Sequence, residues 1–231
     1  MKFIPFIIII LTLLSCNANT INTSLQRKDT VTTSCSTVSI AIKHSFPSKE
    51  NPWNRTVTLP SQGKFVAESH YVTTKEVFEG KTWPSAKDEE IENHMKKAFE
   101  AYKKHDPKAR FEELYANPWQ KEWTPAEGGA FGQGSVGDVQ LKELSTEMEM
   151  WLLTMMWAKG ERPERGTKFL LSANDKSVVV VAGYETGPAS QDFLGGITTE
   201  VHHWLNTTSD SEISIALLAD QTLPPGPVNC K

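Results

Sequence analysis

Three cysteines in 231 residues are few, and none stands in a Cys-X-X-Cys pair, so a zinc knuckle and a thioredoxin-type redox pair are excluded. No Gly-X-Ser-X-Gly elbow and no phosphate-binding glycine loop occurs, which removes the α/β-hydrolase and P-loop nucleotide classes. Charge of one sign is lacking as well. With 24 basic against 28 acidic residues the net charge is −4, and no basic stripe runs along the chain. Nucleic acid and anionic membrane surfaces are therefore not the expected partners. No cofactor motif is present. Beyond the first fifteen residues there is no long apolar run, and the run at the start is too short for a retained span of roughly 20 residues.

What is present begins with that start. Met1-Lys2-Phe3 supplies one positive charge, Ile4 to Leu14 is apolar, and Leu13-Leu14-Ser15-Cys16 follows. These are the parts of a secretory signal. The last four residues resemble the lipobox of bacterial lipoproteins, in which the cysteine is acylated and becomes the new N-terminus. On that resemblance 1–15 is a signal peptide, Cys16 carries the lipid, and the protein is anchored to a membrane of the bacterial cell envelope by lipid alone. An ordinary signal peptide with a chance cysteine is the alternative. Polar residues dominate from Asn17 to Ser36, a composition that buries no core and reads as a tether over 16–36. The remainder, 37–231, suits a single domain. Cys35 and Cys230 flank it, and an even pair in an exported chain suggests a disulfide between its ends, with two unrelated thiols as the alternative.

Along the domain, Val38 to Ile42, Thr56 to Leu59 and Lys64 to Thr73 read as extended. Ser85 to Asp106 changes period. Ser85 and Asp88 form a capping-box pattern, Ile91, Met95, Ala98, Phe99 and Tyr102 share one helical face, and Pro107 ends the helix. Lys96, Lys97, Lys103 and Lys104 make the opposite face a solvated one. The loop 117–137 carries Trp119 and Trp123, which serve either as plates for sugar rings or as buried anchors. Ser145 to Ala158 reads as a second helix, apolar on most sides and therefore buried. Gly166 to Ser172 is a strand, Ala173-Asn174-Asp175-Lys176 a turn, and Ser177 to Tyr184 a strand buried on both faces by its run of valines. A short helix from Thr198 or Thr199 and a strand from Glu212 to Leu218 follow, then a stiff tail, Leu223 to Pro227. The class is mainly β with helical insertions, α+β overall.

The order Gly166-Thr167, Val178 to Val181, Tyr184-Glu185-Thr186-Gly187-Pro188, short helix, and Glu212 to Leu218 resembles the double-psi β-barrel domain of the rare lipoprotein A family and its expansin-like and three-aspartate relatives. The resemblance implies a six-stranded double-psi β-barrel, with the helix at 85–106 as an insertion. It also implies a target, the peptidoglycan glycan or another cell-wall polysaccharide, acted on as a lytic transglycosylase or bound without cleavage. The family's catalytic aspartate falls at Glu185 in this sequence, one methylene longer. A further family aspartate falls near Gly196, where there is no carboxyl, and an acidic residue of the middle loop corresponds to Asp138. Glu185 is then either the acid/base of glycan cleavage or a cap on the turn amides. Glu200 and His202 are candidate cleft-lining groups. A metal site built from Glu200, His202 and His203 is disfavoured, because adjacent helical residues point about 100° apart.

Overall fold

A computed structural model describes residues 33–47, 52–68, 96–115, 148, 150–155, 158, 163, 166–184 and 191–230, all within the unit Val31–Lys231. Its strands are β1 (Thr37–Val38), β2 (Ile40–Pro47), β3 (Pro52–Leu59), β4 (Ser61–Glu68), β5 (Leu152–Thr154), β6 (Lys168–Ala173), β7 (Lys176–Tyr184), β8 (Phe193–Thr198), β9 (Ile213–Leu218) and β10 (Gly226–Val228). The described helical segments are α1 (residues 96–102), α2 (Phe111–Tyr115) and α3 (Thr199–Leu205). None of them is long and apolar enough to cross a membrane.

Six strands close on themselves. β4 pairs with β8, β8 with β5, β5 with β7, β7 with β6, β6 with β9, and β9 returns to β4. Two of these pairings, β4 with β8 and β5 with β7, are parallel, and the other four are antiparallel. Closure leaves no edge within the barrel itself. β1 and β10 extend it on the outside at β9 and β7, and β2 with β3 forms a separate two-stranded ribbon.

β7 shows why the valine run takes this place. Val178 to Val181 are all fully buried, so neither face of the strand meets water, as a continuous branched run requires. Asn174 and Asp175, both at positive φ, make the two-residue hairpin from β6 into β7, a backbone that asparagine and aspartate tolerate better than most residues. In β9, Ile213 and Ile215 point into the core by strand alternation. On α1, Ala98, Phe99 and Tyr102 are buried as their helical phase dictates, while Lys96, Lys97 and Lys104 stay exposed. Ser85 to Met95 and the loop 117–137 lie outside the described residues.

One element differs in kind. The stretch read from its sequence as a helix over Ser145 to Ala158 contains β5, with Met150 and Trp151 in a turn before it. The misreading has a physical cause. A segment apolar at nearly every position satisfies a buried helix and a doubly buried strand equally, so periodicity cannot separate them. The slot between β7 and β8 decides, because it supplies ladder partners on both edges of Leu152–Thr154. Thr154 is the polar residue of this strand. Its Oγ1 donates to the Gly196 carbonyl (3.3 Å) and accepts from the Gly196 amide (3.1 Å), which satisfies a buried hydroxyl.

The ends of the domain are stapled. Cys35 and Cys230 are joined by a disulfide with Cα atoms 5.3 Å apart, and Thr33 N–H donates to the Asn229 carbonyl at 2.9 Å beside it. The chain is thus tied to the barrel from Thr33 onward, ahead of the boundary that composition alone marks at Ser36.

Two substitutions test this reading. A Cβ at Gly195 would lie 2.0 Å from the Thr154 carbonyl oxygen, whereas at Gly63 it would meet Leu194 side-chain carbons at 2.5 Å. Gly195→Ala should therefore cost about 3 kcal/mol or more, and more than Gly63→Ala, in urea unfolding. Removing the staple by Cys35→Ala with Cys230→Ala should lower stability by up to about 5 kcal/mol, given the 195-residue separation. Equal losses at the two glycines, or a staple-free protein of unchanged midpoint, would contradict these assignments.

Candidate functional site

Two depressions open on the described surface, and their linings meet along the chain at Ser209 and Asp210. Thr154 of β5 is level with Tyr184 at the end of β7 and with Gly196 of β8. The C-terminal ends of β5 and β7 and the N-terminal end of β8 therefore share one rim. A depression of about 410 Å³ lies at the starts of β4 and β8 and just ahead of β9, lined by Arg55, Lys64, Asp192, Asp210 and Glu212 among others. Arg55 reaches it from the β2–β3 ribbon. Its guanidinium donates to the carbonyls of Gln191 and Phe193 and lies 5.2 Å from the Trp53 ring. Burial lowers the Arg55 pKa, partly offset by the Asp192 carboxylate. The group fixes the turn that leads into β8, and the rim around it carries both signs of charge.

Glu185 directly follows β7, and so belongs in sequence to the rim shared by the ends of β5 and β7, but it lies outside the described residues. Asp138, Trp119, Trp123 and Cys16 lie outside them too. Gly196, at the position where the resemblance puts an aspartate, is a buried β8 residue paired with Thr154.

The second depression, about 630 Å³, opens beside α3 near the β6–β7 hairpin. Lys176, which lines it, is eight residues from Tyr184 along an extended strand, a separation of about 26 Å. Glu200 and His202, the candidate cleft-lining groups, stand on α3. Glu200 is 0% exposed and lines neither depression. His202 touches the second one, yet its ring is 5% exposed and both nitrogens are engaged. Nε2 is 3.0 Å from the Phe65 carbonyl, which can only accept, so Nε2 carries the proton. Nδ1 then accepts from the Thr207 hydroxyl at 2.9 Å. Burial pushes the His202 pKa down to about 4 against the opposing effect of backbone hydrogen bonds at Phe65 and Val66. The ring is a neutral strut between α3 and β4.

The other histidine of the pair, His203, turns to the open side. Its Nδ1 is 2.8 Å from the Tyr102 hydroxyl and its Nε2 is 3.9 Å from Glu113 Oε2. Asn206 ends α3 in the left-handed conformation, with its N–H on the His202 and His203 carbonyls, and Asn174 of the hairpin donates to the Leu205 and Asn206 carbonyls. This cluster of Tyr102, Glu113 and His203 was not legible as a unit. The 100° turn between His202 and His203 shows in the sequence, but Glu113 and Tyr102 come from α2 and α1, and only tertiary packing brings them together. Among the described residues, no three His, Cys, Asp or Glu side chains are arranged to hold a metal.

No family model matches the chain, and no curated protein or solved structure matches it.

His44, 1% exposed, is pushed down to about 4 by burial and then by Arg55, as His202 is by burial. A histidine depressed on folding favours the unfolded chain once that chain protonates near pH 6.5. Each group's contribution is complete above about pH 6.5 and is lost as the pH falls towards 4. Folding stability should drop across that window by about 3 kcal/mol for each histidine. His202→Gln should flatten the profile, and an unchanged slope in that variant would refute the assignment.

Proposed function

We propose that the protein is an exported cell-envelope lipoprotein that acts on peptidoglycan glycan strands, with Glu185 as the acid/base of a lytic transglycosylase-type cleavage. The observation that carries this reading is the closed six-stranded barrel in which β7, buried along its valine run, ends at Tyr184, one residue before Glu185. Such a barrel is compatible with a double-psi barrel of the rare lipoprotein A type. The disulfide between Cys35 and Cys230 supports export, since such bonds persist in oxidising compartments. In this reading residues 1–15 are the signal peptide, Cys16 bears the lipid, and the polar stretch between Cys16 and Thr33 holds the barrel away from the membrane.

The chemistry needs one carboxyl. It protonates the leaving glycosidic oxygen and then receives a proton from the sugar's own hydroxyl as that hydroxyl attacks, so no second carboxylate has to activate water. That suits a barrel in which Gly196 stands where a further aspartate would be. The same absence also favours a second reading, a non-catalytic lipoprotein that binds glycan or a protein partner through Trp119 and Trp123.

Glu185→Gln separates the two. Cleavage of purified peptidoglycan to anhydro-sugar products should fall by about 10²-fold or more, with the thermal midpoint nearly unchanged. A stable variant with full cleavage would end the catalytic reading, and wild-type protein that binds sacculi but releases no anhydro-sugar would select the binding one. Cys16→Ser should move the protein out of the membrane fraction. Continued partitioning with the membrane would remove the lipid anchor from the proposal.

A further inference from the structure

Tyr102 is fully buried, and its hydroxyl lies 2.8 Å from His203 Nδ1. A phenol withdrawn from water keeps its proton on an acceptor, and burial, then Asp106 and Glu200, raise its pKa further. Nδ1 therefore accepts, and the ring's N–H is at Nε2. That N–H faces Glu113 Oε2 across 3.9 Å, too far for a direct hydrogen bond. One oxygen seated about 2.8 Å from both atoms would bridge them, at an angle of about 90° that is tighter than tetrahedral. The pair thus presents an N–H donor beside a carboxylate, whose other oxygen lies 3.9 Å from Arg110 Nε, at the wall of the 630 Å³ depression.

Only some groups complete it. A carbonyl accepts but cannot donate to Glu113, an ammonium donates but cannot accept from Nε2, and an anion is repelled by the carboxylate. A hydroxyl does both. The rest of the wall is mostly polar, with Asp106, Lys176, Asn206 and Thr208 around the opening beside the apolar Ala67 and Leu114, and the volume falls in the range of small-molecule sites. We infer that this depression is a sugar-binding site in which His203 and Glu113 clamp one hydroxyl of a glycan, with Tyr102 setting the imidazole tautomer. The inference rests on the glycan reading above and adds a second contact on the barrel wall, at the opposite end of β7 from the strand end that precedes Glu185.

The probe is the N-acetylglucosamine tetramer, added to the unlipidated chain with ¹⁵N-labelled histidine. The His203 Nε2 resonance should shift on addition, the His202 resonance should stay in place, and Glu113→Ala should weaken binding about tenfold without lowering the thermal midpoint. The shift with Glu113-dependent affinity supports the site. No shift at His203 at millimolar tetramer, or affinity indifferent to Glu113→Ala, overturns it. Pelleting the same protein with peptidoglycan sacculi keeps the two ideas apart. Retention on sacculi with a silent His203 refutes this site and leaves the glycan reading standing, and loss of both refutes both.

Discussion

The barrel depends on how closely β5 and β8 approach at Thr154. The Thr154 carbonyl occupies the space a side chain at residue 195 would need, and its hydroxyl bonds both backbone groups of Gly196. Two glycines in succession allow that approach, and a threonine satisfies the polar groups it buries. β5 has only three residues. It nevertheless bridges a parallel partner and an antiparallel one, and without it the sheet would open between β7 and β8 and expose the valine run. Closure is thus a matter of backbone proximity as much as of apolar area.

The outer layer is fastened by polar groups rather than by packing alone. His202 ties α3 to the Phe65 carbonyl of β4, Asn174 ties the β6–β7 hairpin to the last carbonyls of α3, and the Trp204 indole donates to Ser177 of β7 (3.2 Å). These bonds leave α3 little freedom to rotate on the barrel. His203 is consequently held facing outward, and its partners Tyr102 and Glu113 come from segments that dock on the same helix. The ribbon of β2 and β3 is fastened in the same way through Arg55, whose bonds to Gln191 and Phe193 set where β8 begins.

From sequence alone, the strands β6, β7 and β9, the hairpin at Asn174-Asp175, the short helix α3 and the buried face of α1 were legible, because each is written in local terms. A valine run, an asparagine-aspartate turn and a 3.6-residue apolar phase do not depend on distant residues. The pairing of Cys35 with Cys230 was suggested by number and position, and the structure joins them. β5 was not legible, since an all-apolar stretch carries no period and its identity is decided by the slot it fills. Nor was the meeting of Tyr102, Glu113 and His203. Those depend on strand order and register, which arise from long-range hydrogen-bond partners and not from any property of the residues one at a time.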